Sequence, residues 1–444
     1  MSGVTARLER LVREHQARWR APSVVAAVVR DGEPLWSYAV GVVDLSGTPA
    51  TTSHSYRVGS ITKTFTAALV MSLRDGGLLG LDEPLSTYVA EVGGRSKVTV
   101  RQALSHLSGI QREPVGEVWV TGEPPDVDGL AASLAEVEWV LPQGRRFHYS
   151  NLAYALLGLA AERVTGKPWE ELVTGRLFEP LSMGRTTAAP SEPAATGFFV
   201  HPHTDVAVAE QPIDARAVSP AMQMWSTVED LARWAGFLAT GHDAVLTAAT
   251  IDEMTTLAVM ADPIRWSLGY GLGLMVHRRG DRLLVGHAGA MPGFLADVLV
   301  SRGDKLGAVV MTNTGVGADT PDLAGQLIEA VLEDEPAAPP VWTPPAPPPA
   351  EAAELVGSWW LEGDEFVFRW RDGRLQAKRS GAPDWAEPST FEPLGGDRWR
   401  TGNAGEVGEI LQVLRASDGT VAELRWASYK ASRTPEPAFP VDES

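Results

Sequence analysis

The sequence predicts an α+β body followed by a small antiparallel β-barrel. Three observations carry this expectation. Apolar, β-branched runs stand at both ends of the first ~335 residues, with helical patterns between them. A proline cluster, EDEPAAPPVWTPPAPPPAE at 333–351, breaks the chain, because clustered prolines fit neither a helix nor a central strand. Beyond it, short alternating runs are punctuated by Asp-Gly pairs. The expected division is a body at 1–335, a linker at 336–350 and a barrel domain at 351–444.

The elements follow in order. The N-terminus, MSGVTARLERLVREHQARWR, spaces its apolar residues as one helix face. Ser23–Arg30 and Leu35–Val42 read as a hairpin turning at Asp31-Gly32-Glu33. Ser60–Arg74 reads as a helix ended by Gly76-Gly77, Thr99 caps a short helix carrying Val100–His106, and Leu152–Val164 is an apolar helix stopped at Gly166-Lys167-Pro168. Leu283–Val285, Phe294–Val300 and Leu306–Thr312 read as antiparallel strands, with a helix at Pro321–Leu332. In the tail, Phe366, Phe368 and Trp370 alternate with polar or small neighbours before Asp372-Gly373 turns the chain into Leu375–Lys378. Ile410–Arg415 and Val421–Ser428 repeat the pattern around Asp418-Gly419. Trp359-Trp360 is expected to pack a core.

With 44% hydrophobic and 21% charged residues the chain is globular. The formal charge of −18 opposes phosphate backbones and anionic lipid, so nucleic acid and membrane are not expected partners. No cysteine is present, which removes disulfides and thiolate chemistry. The N-terminus has no continuous apolar signal core, so a cytoplasmic location is expected. No phosphate-binding glycine loop occurs in a helix-opening context, and no cofactor is expected. His201-Pro202-His203 with Asp205 has metal-ligand chemistry, but a polar loop between helices explains it better, and no metal is expected.

Three short motifs carry chemistry. In Ser60-Ile61-Thr62-Lys63 a helical spacing of three puts hydroxyl and amine on one face. Burial lowers the lysine's proton affinity and makes it a base, which arginine cannot be. Tyr149-Ser150-Asn151 adds a phenol whose ionised form an adjacent ammonium would favour, and an amide able to hold both Lys63 and a substrate. His287-Ala288-Gly289-Ala290, placed after the strand Leu283–Val285, adds a donor or pH-dependent cation in His287. Its Gly289 would let substrate approach the strand edge, and its Ala290 N–H would act as an oxyanion donor beside that of Ser60.

The order Ser-x-x-Lys, Tyr-x-Asn, His-x-Gly resembles the class C β-lactamase-like family of penicillin-recognising serine hydrolases. Leu104-Ser105-His106-Leu107-Ser108-Gly109, Pro180-Leu181-Ser182-Met183-Gly184, Trp225-Ser226-Thr227 with Asp230-Leu231, and Tyr270-Gly271-Leu272-Gly273 extend the resemblance over roughly 8–332. It implies a β-lactamase/transpeptidase-like fold with Ser60 as nucleophile and Lys63 and Tyr149 as a coupled acid/base pair. The tail resembles a lipocalin-like domain. Where secreted relatives carry Lys-Thr-Gly to clamp a carboxylate, this chain has His287-Ala288-Gly289, and Met222-Gln223 stands where many have Gly-Gly, implying a bulkier pocket wall. The resemblance therefore implies an acyl-enzyme hydrolase of esters or D-amino-acid amides, with a small-molecule or peptide acyl donor as partner. The alternatives are a thioesterase/cyclase releasing nonribosomal peptides, a β-lactamase, and an inactive ligand sensor. Oligomeric state is not legible.

Overall fold

A computed structural model describes residues 3–93, 97–336 and 341–436. The chain divides into two compact units, Met1–Ala337 and Ala338–Ser444. Of the expected linker, 337–340 lie outside the described residues, and 341–349 carry no regular secondary structure. Residues 437–444 of the expected barrel domain also lie outside them.

In the first unit, α1 (Gly3–Trp19) leads into the hairpin β1 (Ser23–Arg30) and β2 (Glu33–Gly41). The helical insertion contains α2 (Thr62–Asp75), α3 (Val100–Leu104), α4 (Asn151–Thr165) and α5 (Val228–Thr240). The chain then returns through β3 (Val259–Met260), β4 (Leu268–Tyr270), β5 (Met275–Arg279), β6 (Arg282–Met291), β7 (Phe294–Ser301), β8 (Leu306–Thr312) and α6 (Thr320–Asp334). The sheet order is β2-β1-β8-β7-β6-β5-β4-β3. The two chain ends of the unit meet in this sheet, where β1, next to the edge strand, pairs antiparallel with β8 (Ala26↔Val310).

The continuous apolar run of β1 follows from burial on both faces. Val25, Ala27 and Val29 enter the core shared with the helical insertion, while Val24, Ala26 and Val28 enter the one beneath α1 and α6. The Thr99 cap of α3 is a full capping box with Gln102. That helix ends at Leu104, not His106, because His106 takes a left-handed φ of 56°. The third motif also departs from expectation. His287–Ala290 lies inside β6 and not after it, because the strand runs on to Met291 paired with β7.

The second unit is a closed antiparallel barrel of β9 (Gly357–Leu361), β10 (Asp364–Arg371), β11 (Arg374–Arg379), β12 (Ser389–Pro393), β13 (Arg398–Thr401), β14 (Ile410–Arg415), β15 (Val421–Trp426) and β16 (Tyr429–Ser432). Closure comes from β16 returning to β9 (Trp360↔Ser432). The run expected at Val421–Ser428 is shorter, because Ala427 and Ser428, both left-handed (φ 49° and 76°), turn the chain into β16. Trp359, Phe368, Leu375, Phe391, Leu411, Leu424 and Trp426 fill the interior. Among the described residues no helix is long and apolar enough to cross a membrane.

Candidate active site

Ser60 sits in a 3-10 turn, Gly59–Ile61, that feeds α2, and its side chain is half-buried. Two glycines bring β6 against that turn. Gly59 has φ +52°, and a Cβ there would lie 2.7 Å from the Ala290 nitrogen. A Cβ on Gly289 would lie 1.9 Å from the Val58 carbonyl oxygen and 3.3 Å from the Ser60 nitrogen. Gly289 is thus needed for backbone against backbone, and not, as the sequence had implied, for approach of a substrate. The crossing gathers the Ser60 and Ala290 nitrogens beside the Ser60 hydroxyl, an arrangement suited to an anionic oxygen.

Lys63, on the first turn of α2, is completely buried. Its Nζ lies 3.1 Å from Ser60 Oγ, 2.7 Å from Asn151 Oδ1 and 2.9 Å from the Ala221 carbonyl oxygen. Burial holds its proton affinity well below the ordinary lysine range, and the Glu113 charge only partly opposes this. A neutral amine has two N–H bonds and one lone pair. Asn151 and Ala221 accept the two bonds, which leaves the lone pair for Ser60. Asn151 is oriented from its other side, where Nδ2 donates to Glu113 Oε1 at 2.7 Å.

Tyr149 stands beside Ser60, and the two side chains share a hydrogen bond. The Lys63 nitrogen lies 4.7 Å above the Tyr149 ring. The expectation of a favoured phenolate is overturned: burial pushes the Tyr149 hydroxyl up from its ordinary value. Tyr149 is thereby held as a phenol that donates and relays.

His287 is also corrected. Both ring nitrogens are engaged inside the protein, Nε2 with the Tyr270 hydroxyl at 3.0 Å and Nδ1 with the Ala288 carbonyl at 2.5 Å. The carbonyl can only accept, so Nδ1 carries the hydrogen and Tyr270 donates to Nε2. Burial lowers the ring's pKa to about 3, which leaves no cation near neutrality. Of the Met222-Gln223 pair, only Met222 lines the cleft. Gln223 turns away to Arg57, the Ala215 N–H and the Ala188 carbonyl.

The cleft over Ser60 has a volume of about 750 Å³, and its walls include Trp119, Phe147, Met222, Leu268, Met275, Met291 and Leu295. Sequence reasoning missed Arg112 and Glu113, which lie on the same wall. The Arg112 guanidinium stands 5.0 Å over the Tyr149 ring, and Glu113 Oε2 is buried with no hydrogen-bond donor. No spacing signal marks either residue, since both come from the loop after Leu104–Gly109. The candidate residues Ser60, Lys63, Tyr149, Asn151, His287, Gly289 and Ala290 all converge here. His201 and His203 do not join them: their rings pack together at 5.7 Å, and Asp205 is ion-paired to Arg20.

Comparison with known proteins gives the relatives of the chain. Residues 8–333 match the family model described as Beta-lactamase, and residues 348–433 match a domain of unknown function (DUF7586). Penicillin-binding protein 4 of Amycolatopsis lactamdurans is 29% identical over 384 residues, 80% of this chain and 97% of that protein. A D-stereospecific amidohydrolase from Streptomyces sp. superposes with a TM-score of 0.62 at 27% identity, over 75% of this chain and 99% of that one. SurE, which has also been solved with D-Leu, superposes with a TM-score of 0.61 at 26% identity, over 97% of this chain and 98% of its own.

Proposed function

Because the chain belongs to the β-lactamase family and is a serine hydrolase, we propose that it hydrolyses amides of D-amino acids, and the corresponding esters, through an acyl-enzyme on Ser60. The observation that carries this reading is the Lys63 environment, where both N–H bonds have acceptors and the lone pair faces Ser60. Ser60 Oγ attacks the carbonyl carbon as its proton passes to Lys63 Nζ. The oxygen that becomes anionic is held by the Ser60 and Ala290 N–H groups. Tyr149, bonded to Ser60, hands a proton to the leaving amine, and Lys63 replaces it. Water then enters by the reverse route and releases the acid.

Two points support D-amino-acid amides over neutral esters. Glu113, on the cleft wall, holds Asn151 and is ion-paired with Arg112 at 3.4 Å, and its carboxylate gives an ammonium on the acyl residue a negative charge to face. One of the similar structures is that of a D-stereospecific amidohydrolase.

The test is a panel of D- and L-aminoacyl p-nitroanilides, N-acetylated D-aminoacyl p-nitroanilides, p-nitrophenyl esters, a peptidyl thioester and a chromogenic cephalosporin. Intact-mass analysis after fluorophosphonate treatment accompanies it. The expected result is one adduct, absent in Ser60→Ala, with the free D-aminoacyl anilide hydrolysed fastest among the anilides. An adduct that persists in Ser60→Ala overturns the nucleophile. A faster L- or N-acetylated anilide overturns the substrate class. Faster release of the thioester would move the assignment to peptide release.

A further inference from the structure

Tyr149 has to keep its hydroxyl at Ser60, yet it stands in a loop just ahead of α4, outside any regular element. We infer that His106 is the positioning residue that holds Tyr149 in place, by bonding the chain on both sides of it and packing along its ring.

The His106 carbonyl oxygen accepts the His148 N–H at 2.8 Å, one residue before Tyr149. The His106 ring nitrogen Nδ1 accepts the Ser150 N–H at 3.1 Å, one residue after it. Between these bonds the two rings lie 4.3 Å apart at an interplanar angle of 32°. Phe147, Tyr154 and Tyr270 enclose the remaining faces of the imidazole, at 5.6, 5.2 and 4.7 Å. Two costs accompany the arrangement. His106 is held at φ 56°, a region that side chains other than glycine's seldom occupy. Its Nε2 is buried with no hydrogen-bond partner. A histidine serving only as core filling would need neither, since a phenylalanine would fill the space without an unpaired N–H.

The bracket also constrains the protonation of the ring. Nδ1 accepts only while it carries no hydrogen, so the imidazole must stay neutral with its hydrogen on Nε2. Complete burial favours that neutral form. His106 touches neither Ser60 nor Lys63 by a hydrogen bond, and it acts through Tyr149.

The inference rests on Tyr149 taking part in proton transfer, and a double-mutant cycle separates the two ideas. His106→Phe keeps the ring and loses the acceptor. His106→Asn keeps an acceptor at the equivalent atom and tolerates the left-handed backbone. On the best substrate of the panel, His106→Phe is expected to lower kcat by about 10–100-fold with KM changed less than about threefold, the scale of a displaced catalytic group. His106→Asn should recover kcat to within about fivefold of the parent. In a Tyr149→Phe background, which should itself be strongly impaired, His106→Phe should cost less than about twofold more. Thermal melts establish that each variant is folded, and if His106→Phe is not, His106→Asn and His106→Gln in both backgrounds serve, Gln lacking an acceptor at the Nδ1 position. Equal losses in both backgrounds, or no rescue by asparagine, would overturn the positioning role alone. Normal kcat in Tyr149→Phe would overturn both that role and the proposed proton path.

Discussion

The two units bury very different things. The barrel interior is filled by aromatic and aliphatic side chains, and its buried indoles find partners: Trp359 Nε1 donates to the Leu355 carbonyl and Trp426 Nε1 to Thr401 Oγ1. The body buries Lys63, His106 and His287 around the half-buried Tyr149, along with Asp297 on β7, whose two carboxylate oxygens have no partner. Burying a titratable group without full compensation costs stability, so a fold keeps such groups where they perform chemistry or hold something that does. The difference locates the titratable chemistry in the body.

Four measurements would break or sharpen that contrast. Lys63→Arg keeps a cation but cannot give up its proton, so it should lose acylation rate as fully as Lys63→Ala, by about 10²–10⁴-fold. In the parent, the rate should rise with pH as Lys63 loses its proton, with the midpoint well below the ordinary lysine range. A Lys63→Arg variant near parental rate would make the lysine a mere electrostatic support. In the barrel, Phe391→Ala should destabilise its unit by about 3–5 kcal/mol, read by denaturant unfolding of barrel tryptophan fluorescence. The filled interior should leave an apolar fluorescent probe unbound in the parent, and tight binding there would instead point to a carrier role for the barrel.

Smaller effects follow from the third motif. Without a lysine–threonine pair, cephalosporin turnover should run about 10–150-fold below that of the preferred amide, a deficit of about 1.5–3 kcal/mol for a missing charged clamp. Equal efficiency on both substrates would make the protein a β-lactamase. Nor should acid conditions rescue that activity, because His287 stays neutral down to about pH 3. The sign for stability is the opposite of that for an ion-paired histidine. Between about pH 6.5 and 3 the unfolded chain takes up a proton that native His287 refuses, so its contribution to stability falls as pH falls. Urea midpoints at pH 5 and 7.5 should differ less in His287→Phe than in the parent. A steeper pH dependence in that variant would contradict the buried neutral ring.

The legible part of the site was the part encoded locally. Ser60 and Lys63 are three residues apart, and Tyr149 and Asn151 flank the helix cap Ser150, so short motifs showed each pair and the order of the motifs joined them. The Ala221 carbonyl, Glu113 and Tyr270 come from distant segments with no periodic signature, and only tertiary folding delivers them. Electrostatic expectations failed for one reason at both Tyr149 and His287: sequence supplies the neighbours of a group but not its depth, and depth decided both. Gly289 was flagged correctly as a place of close approach, but the approaching atoms belong to Val58 and Ser60. In the tail, alternation and Asp-Gly pairs gave strands and turns, whereas closure depends on Trp360 meeting Ser432 at long range.

The pairing of β1 with β8 bears on how the protein is made. Val24 waits for Thr312, and Ser60 waits for Ala290, before either the sheet or the oxyanion donors exist. A growing chain therefore emerges from the ribosome carrying its reactive serine and lysine for some 230 residues with no competent site around them. Any product ending before Leu306 exposes β1 as an unpaired apolar edge, an invitation to aggregation rather than to partial activity. Hydrolysis is thus a stringent reporter of completed translation of the body, and split-protein complementation should fail for fragments divided within the helical insertion unless the late strands are supplied in trans.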